Sequence, residues 1–143
     1  MDSKSQPIDV LQEVKSLNFP IDQFIIVGSS ILSIKGIRPT YDLDIVVSQE
    51  LFDRCKGEGW EEKEWTWPVG NKKGWLKSGI VELTLECVTD KEVFDLQSLI
   101  TEADVIEGIN FMGLRWLLNF KKWHGRPKDL EDIILIKNYL RDL

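Results

Sequence analysis

Apolar positions in the first third of the chain follow two different periods, one typical of helices and one typical of buried strands. A three-to-four-residue repeat of apolar side chains predicts a helix over residues 7–17. Short continuous apolar runs predict buried strands over residues 24–27 and 42–47. A short helix over residues 29–35 fits between them, and Ser48 is the predicted N-cap of a helix that runs to about Lys56.

The rest of the chain is predicted to be richer in strands and then to end in helices. The predicted strands cover residues 61–67, 75–77 and 80–88, separated by a turn-rich segment 69–74; a helix covers 91–101, a hairpin 104–111, and two helices 114–123 and 127–140. The clearest strand signal is the apolar–polar alternation of residues 80–88. The pattern as a whole predicts an α/β (α+β) fold, a mixed sheet flanked by helices, with a helical tail at about residues 113–143.

Length and composition indicate one ordinary globular domain. The chain has 143 residues and no segment that resembles a linker, so we expect residues 1–143 to form a single domain. The 24 acidic and 18 basic residues give a net charge of −6. That sign argues against binding of long nucleic acids, which need a basic surface.

The cysteines, the single histidine and the N-terminal residues limit the expected compartment and the possible metal sites. Cys55 and Cys87 form no CxxC pair, which favours two buried thiols in a reducing compartment over a disulfide. His124 is the only histidine, so a multi-histidine metal site is excluded. The first residues are polar, and no apolar run reaches the ~18 residues of a membrane span. We therefore expect a soluble cytoplasmic protein without a membrane partner.

Two aspartates at the start of the second strand carry the most informative chemistry. Asp42 and Asp44 are two residues apart, so the period of a strand places both carboxylates on one face. Two adjacent negative charges require a compensating cation or arginine. Mg²⁺ suits such a pair, because it is commonly held by one or two carboxylates together with substrate phosphates.

The turn between the first strand and the short helix offers a complementary phosphate site. Gly28 and Ser29 combine close backbone approach, a hydroxyl group and amides at the start of a helix. Arg38 lies between this turn and the aspartate pair, where it can clamp a phosphate or carboxylate, or form an ion pair with Asp42 or Asp44.

These residues together resemble the signature of the DNA polymerase beta-type nucleotidyltransferase superfamily, and most closely its small AbiEii-type and aminoglycoside or lincosamide members. The first matching motif contains Gly28, Ser29, Gly36, Arg38, Thr40, Asp42 and Asp44. The second, near the C-terminus, contains Lys121, Gly125, Arg126, Pro127, Lys128, Asp129, Asp132 and Ile133. The two motifs bracket residues 27–133, nearly the whole chain.

The resemblance implies a nucleotidyltransferase-like sheet and a reaction that transfers a nucleoside monophosphate from an NTP to a hydroxyl acceptor. It implies a third metal carboxylate beside Asp42 and Asp44, for which Glu82 is the candidate and Glu86 the runner-up. The family more often has Asp at that position. Three such carboxylates would form the catalytic site for Mg²⁺ or Mn²⁺.

The resemblance also places a set of residues around the nucleotide: Gly28, Ser29, Arg38, Thr40, Lys121 and Lys128. Structural roles are open for several acidic and basic residues. Glu82 and Glu86 can form cross-strand ion pairs, Lys128 can pair with Glu131 or Asp132, and Asp129 can cap the last helix or hold a basic side chain.

Three functional hypotheses follow. The first is an active nucleotidyltransferase whose acceptor is a small molecule, a protein or an RNA end. The second is an inactive nucleotide-binding or toxin–antitoxin-type module of the same fold, which would bind a protein partner. The third is a structural α/β protein whose acidic pair is incidental. Trp65 and Trp67 share a predicted strand face, so they are candidates for stacking on a base, with core packing as the alternative.

Overall fold

The fold is described from a computed structural model, in which residues 6–66, 72–88 and 92–143 are described. The helices are α1 (Val10–Leu17), α2 (Ser30–Ile34), α3 (Gln49–Gly57), α4 (Leu96–Ile100), α5 (Leu114–His124) and α6 (Pro127–Arg141). The strands are β1 (Phe24–Val27), β2 (Leu43–Val47), β3 (Glu61–Thr66), β4 (Lys72–Ser78), β5 (Val81–Thr84), β6 (Glu86–Val88), β7 (Val93–Asp95), β8 (Asp104–Ile106) and β9 (Ile109–Phe111). A short 3₁₀ helix, Ile21–Gln23, precedes β1.

Seven of these strands form one mixed sheet in the order β3-β4-β5-β2-β1-β9-β8. The pairs β2–β5 and β1–β9 are parallel, and the remaining neighbours are antiparallel. Strands β6 and β7 form a separate antiparallel pair. The predicted α+β class, a mixed sheet with helices and a helical C-terminal segment, is confirmed.

The core is centred on β1 and β2. Every residue of β1 is buried, and every residue of β2 except Asp44 is buried. Helices α2 and α4 pack against β1. An acidic residue in an otherwise apolar central strand is unusual, because a carboxylate loses its hydration there without a matching gain.

Local sequence signals predicted several elements within a few residues. The segment over residues 24–27 is β1, with the bounds predicted. Ser48 caps α3, since its hydroxyl oxygen accepts a hydrogen bond from the Leu51 amide at 3.1 Å. The predicted hairpin is β8–β9, and its turn places Glu107 at φ 51° and Gly108 at φ 78°. Positive φ at both central residues is the geometry of a tight hairpin turn.

Two predicted elements are wrong. Residues 80–88 are not one strand, because the ladder is interrupted at Leu85: Val81–Thr84 pair with β2, whereas Glu86–Val88 pair with β7. The predicted helix over residues 91–101 instead begins as strand β7. The Asp95 carboxylate then caps α4 by accepting a hydrogen bond from the Ser98 amide at 2.9 Å. Both errors concern the choice of pairing partner, which apolar alternation does not encode.

Some predictions fall on residues that are not described. Trp67, residues 69–71, Lys91 and the side chain of Trp65 lie outside the described set. Strand β4 begins at Lys72. It therefore takes up the end of the predicted turn-rich segment and extends the predicted short strand 75–77. Both cysteines are free thiols, as favoured. No helix within the described ranges is long and apolar enough to cross a membrane.

Candidate functional site

Sheet topology brings the predicted acidic residues to one edge. Strands β2 and β5 are parallel and therefore begin at the same edge, and Asp44 lies directly opposite Glu82 in their ladder. Strand β1 runs antiparallel to β2 and ends at that edge, with Val27 opposite Asp44. The turn that follows β1, beginning at Gly28, therefore lies beside the acidic residues.

A cleft of about 730 Å³ opens at this edge. That volume is in the range of small-molecule sites in proteins. All predicted site residues line it, including the runner-up carboxylate: Gly28, Ser29, Arg38, Thr40, Asp42, Asp44, Glu82, Glu86, Lys121 and Lys128. Residues from both ends of the chain thus meet in a single concave site.

Asp44 lies in an electrostatically unfavourable position. Burial, together with the negative charges of Asp42 and Glu82, raises the pKa of Asp44 to about 7. Lys128 and Lys121 act in the opposite direction but do not cancel the effect. Burial and the neighbouring carboxylates therefore disfavour the ionised form of Asp44, and a positive charge close to this carboxyl would favour its ionisation.

Gly28 lies on the other side of the site, next to the Asp44 carboxylate. Its φ is +73°, and a Cβ atom at this position would lie 3.0 Å from the Oδ2 atom of Asp44. An L-residue would be strained here by its backbone and would also crowd the Asp44 carboxylate. The absence of a side chain therefore keeps the space next to Asp44 open.

Hydroxyl groups fix the loop that leads into β2. Ser30 and Thr40 are both buried. The hydroxyl of Ser30 donates to the Asp42 carbonyl at 3.3 Å, and that of Thr40 donates to the same oxygen at 3.4 Å. Thr40 thus holds the backbone of Asp42. The resemblance placed Thr40 near the nucleotide. It does not include this structural contact with the backbone of Asp42.

Arg38 forms an ion pair with Asp132 on α6. Its Nε and Nη2 atoms donate to the two carboxylate oxygens of Asp132 at 2.7 and 2.8 Å. The same Nη2 atom also donates to the hydroxyl of Ser29 at 3.1 Å. Of the roles considered for Arg38, the ion pair with Asp42 or Asp44 is not formed, and the guanidinium group instead clamps a carboxylate 94 residues away.

Lys121 is buried between two aspartates of α6. Its Nζ atom lies 2.9 Å from Asp132 and 3.5 Å from Asp129. Burial opposes ionisation of Asp132, but hydrogen bonds from Arg38 and Lys121 outweigh it and hold its pKa below the usual range. Both predicted nucleotide-binding cations, Arg38 and Lys121, are thus already held by carboxylates.

Asp129 caps α6 and holds a basic side chain, so both roles considered for it are combined. Its carboxylate accepts from the Arg126 amide at 3.2 Å and from the Arg126 Nε atom at 2.6 Å. Burial opposes ionisation, and these hydrogen bonds from Arg126 nevertheless keep the pKa of Asp129 low. Arg126, Asp129, Lys121, Asp132 and Arg38 form one chain of contacts from α6 to the Gly28–Ser29 turn.

Lys128 differs from the other cations of the cleft. It is exposed, and the ion pairs considered for it with Glu131 or Asp132 are not formed; nor does it pair with any other described residue. Its positive charge lowers the pKa of Asp44. Lys128 is therefore a cation at the cleft that is available to an anionic ligand.

The cleft also has an apolar wall that sequence reasoning did not assign to a site. It is formed by Trp75, Val88, Met112, Leu117 and Phe120. Strands β4 and β6, helix α5 and the segment after β9 contribute these residues. Helical spacing of Leu117 and Phe120 with Lys121 was the available signal, but the same spacing is equally typical of a core-facing helix.

The two candidate third carboxylates occupy different environments. Glu82 is paired directly with Asp44 across β5 and β2, whereas Glu86 lies beyond the break at Leu85 and is paired with Asp95. The strand partner changes between them, yet both side chains line the cleft, with Thr84 between them. Across residues 6–66, 72–88 and 92–143, no three His, Cys, Asp or Glu side chains converge as a preformed metal centre.

Comparisons with known proteins give no independent assignment: no protein-family model, no curated protein and no solved structure matches the chain. The functional argument therefore depends on the geometry and chemistry of the cleft.

Proposed function

We propose that the cleft binds a nucleoside triphosphate with a divalent cation and transfers its nucleotidyl group to a hydroxyl acceptor. One observation carries the proposal. Asp44 and Glu82 face each other at the sheet edge where Asp42 immediately precedes β2, directly beside the open Gly28–Ser29 turn. Concentrated acidity next to a turn with room for a phosphate is the arrangement that metal-dependent phosphoryl chemistry requires.

The acidic group fits Mg²⁺ or Mn²⁺ on chemical grounds. Asp42, Asp44 and Glu82 are oxygen ligands of the kind these ions prefer. The pKa of Asp44 is raised by burial and then by the charges of Asp42 and Glu82, and a bound cation would lower it. Mg²⁺ commonly takes one or two carboxylates and completes its shell with water and phosphate oxygens. A preformed cage of three protein ligands is therefore not required. When bound, the ion would polarise the phosphate and lower the pKa of the acceptor hydroxyl.

The remaining groups bind and orient. Helix α2 has only five residues, so we expect its dipole to contribute little. Phosphate binding is instead assigned to the turn at Gly28, the hydroxyl of Ser29 and the free ammonium of Lys128. Arg38 and Lys121 act indirectly, since Asp132 holds both and Arg38 in turn orients Ser29. The apolar wall, with Trp75 and Phe120, provides a surface for a base or for the body of the acceptor.

A second candidate function is a nucleotide-binding module without turnover, of the toxin–antitoxin type or another regulatory type. Two observations favour it. Arg38 and Lys121 are held by aspartates. Of the three basic residues that the resemblance places around the nucleotide, only Lys128 therefore lacks a carboxylate partner among the described residues. Glu82 also has a longer side chain than aspartate, and catalysis tolerates a displacement of only ~0.5 Å. Binding without transfer would be the result expected of this module.

The test is a thermal-shift series with each NTP, with and without Mg²⁺, followed by transfer assays with labelled NTP. A ligand at 100 times its Kd stabilises the folded state by about 2.7 kcal/mol, which is readily measured. The Asp42→Asn/Asp44→Asn double variant should lose the Mg²⁺-dependent shift. Its stability without ligand should be equal or higher, because repulsion between the carboxylates is removed.

A matched control is Glu58→Gln/Glu61→Gln, which changes the net charge equally but lies outside the cleft lining. It should keep the full ligand shift. If no NTP shifts the wild-type protein in the presence of Mg²⁺, the proposal is refuted. If a shift is present but no transfer is detected, the binding module is supported instead. A large loss of stability in the aspartate variant would show that the pair is structural.

A further inference from the structure

Helix α6 exposes apolar side chains that no described residue covers. Leu130 is 53% exposed, Ile134 60% and Leu135 38%. Leu130 and Ile134 lie on successive turns, away from the buried face of Asp129, Asp132, Ile133 and Ile136, whereas Leu135 lies about 100° further round the helix, beyond Glu131. Isolated exposed apolar residues are common, but two on successive turns of one helix form a continuous apolar strip that a partner can cover.

Two opposite charges flank Ile134 symmetrically. Glu131 lies three residues before Ile134 and Lys137 three residues after it, and both are exposed. At 100° per residue, they lie on opposite sides of the line through Ile134. Neither forms an ion pair with a residue in the described part of the chain. Ile134 thus lies between one acidic and one basic side chain.

We propose that α6 forms the interface of a symmetric homodimer in which two copies of the helix pack antiparallel. With Ile134 against its own symmetry mate, a residue three positions before it faces a residue three positions after it. Glu131 then faces Lys137 of the partner subunit, and the reciprocal pair forms on the other side. Leu130 meets Asn138 of the partner subunit. Such isologous contact is the commonest form of protein oligomer.

Charge complementarity favours a second copy as the occupant. The same face carries both members of the ion pair, so a two-fold axis through Ile134 satisfies both charges and opposes no like charges at these positions. The antiparallel arrangement also aligns the helix dipoles favourably. Asp129 and Asp132, which line the cleft, lie on the other side of α6, so the dimer leaves the cleft accessible. The inference is independent of the proposed nucleotide chemistry.

The test is the solution mass of the full chain across a concentration series, by sedimentation equilibrium. The wild type should approach twice the protomer mass of 16.6 kDa as concentration rises. Ile134→Glu places two carboxylates at the centre of the interface and should abolish association. The folded state of each variant is checked by circular dichroism and thermal unfolding.

Charge reversal tests the pairing itself. Glu131→Lys and Lys137→Glu should each weaken the dimer by about tenfold or more, because each creates two like-charge contacts. The combined variant restores opposite charges and should recover an affinity near that of the wild type. Lys122→Glu, on the exposed side of α5, makes the same charge change as Lys137→Glu and should leave the mass unchanged.

Three results would overturn the proposal. The first is a monomer at every concentration, which would leave this face to a different protein. The second is a dimer that Ile134→Glu does not affect, and the third is a combined charge reversal that fails to restore association. None of these results bears on whether an NTP binds, so the proposed function stands or fails separately.

Discussion

Replacing Asp132 with asparagine should strongly destabilise the protein, although the two side chains have nearly the same shape. The Asp132 carboxylate is 5% exposed and accepts hydrogen bonds from both Arg38 and Lys121. The asparagine side chain would keep one acceptor oxygen and present an amide that donates toward two cations. The substitution therefore removes the counter-charge while leaving its partners in place.

The magnitude follows from how far each partner is desolvated. Removing one member of a buried ion pair costs about 3–5 kcal/mol, because the other charge is left uncompensated. Lys121 is 9% exposed and retains Asp129 at 3.5 Å, whereas Arg38 is 32% exposed and can be partly hydrated. Both features reduce the loss, so we expect about 3 kcal/mol. For a domain of this size that corresponds to a fall in Tm of about 10 °C.

Urea unfolding of the two proteins at pH 7 measures this loss. The control is Glu107→Gln, which removes the Lys15–Glu107 pair, where both side chains are 55% exposed. An exposed pair contributes about 0–1 kcal/mol, so the control should unfold close to the wild type. If Asp132→Asn changes stability no more than Glu107→Gln, the contacts of Asp132 contribute nothing beyond a surface pair and the reasoning is wrong.

The acid limb of the stability curve tests the same contacts in a second way. The pKa of Asp132 is lowered in the folded state, so its stabilising contribution is fully present above the unfolded pKa near 4. It is lost as pH falls through the lower, folded pKa. The wild type should therefore lose stability more steeply below about pH 4 than Asp132→Asn does. Parallel acid limbs would contradict the assigned pKa shift.

Three smaller effects follow from local geometry. Gly28→Ala and Gly36→Ala both place alanine at φ +73°, but only position 28 has the Asp44 carboxylate within 3.0 Å; unfolding should show a greater loss at 28, and its ligand shift should also decrease. Glu107→Asn should be more stable than Glu107→Gln by about 0.5 kcal/mol, because both lose the contact with Lys15 and asparagine tolerates the positive φ of 51° better; equal or lower stability would contradict this. Burial raises the pKa of the Cys87 thiol to about 12, so its alkylation at pH 8 should be much slower than in urea, and equal rates would show that it is accessible.

Local signals predicted the parts of the fold in which neighbours along the chain decide the structure. The apolar run of β1, the Ser48 cap and the Glu107–Gly108 turn each depend on a few consecutive residues. The acidic group was predictable for a related reason. The strand period places Asp42 and Asp44 together, and strand pairing then added Glu82, which the sequence could only propose from its resemblance.

Pairing between distant segments was not predictable in the same way. The alternation of residues 80–88 is continuous in the sequence, yet the partner changes from β2 to β7 at Leu85. A period of two residues shows which side chains share a face within one strand, but not which strand lies alongside. The single strand over residues 80–88 was wrong for this reason, although Glu86 still lines the cleft with Glu82.

The partner of Arg38 shows why this limit matters for function. The sequence offered Asp42 or Asp44 as an ion-pair partner of Arg38, beside a clamp on a phosphate or carboxylate, but the guanidinium group is held by Asp132 from the C-terminal helix. Had Arg38 paired with Asp44, its positive charge would have lowered the pKa of that carboxyl. Because Asp132 holds Arg38, the pKa of Asp44 is instead raised to about 7 by burial and its acidic neighbours. The contact between α6 and Arg38 therefore keeps this guanidinium away from Asp44, and the proposed cation site depends on that separation.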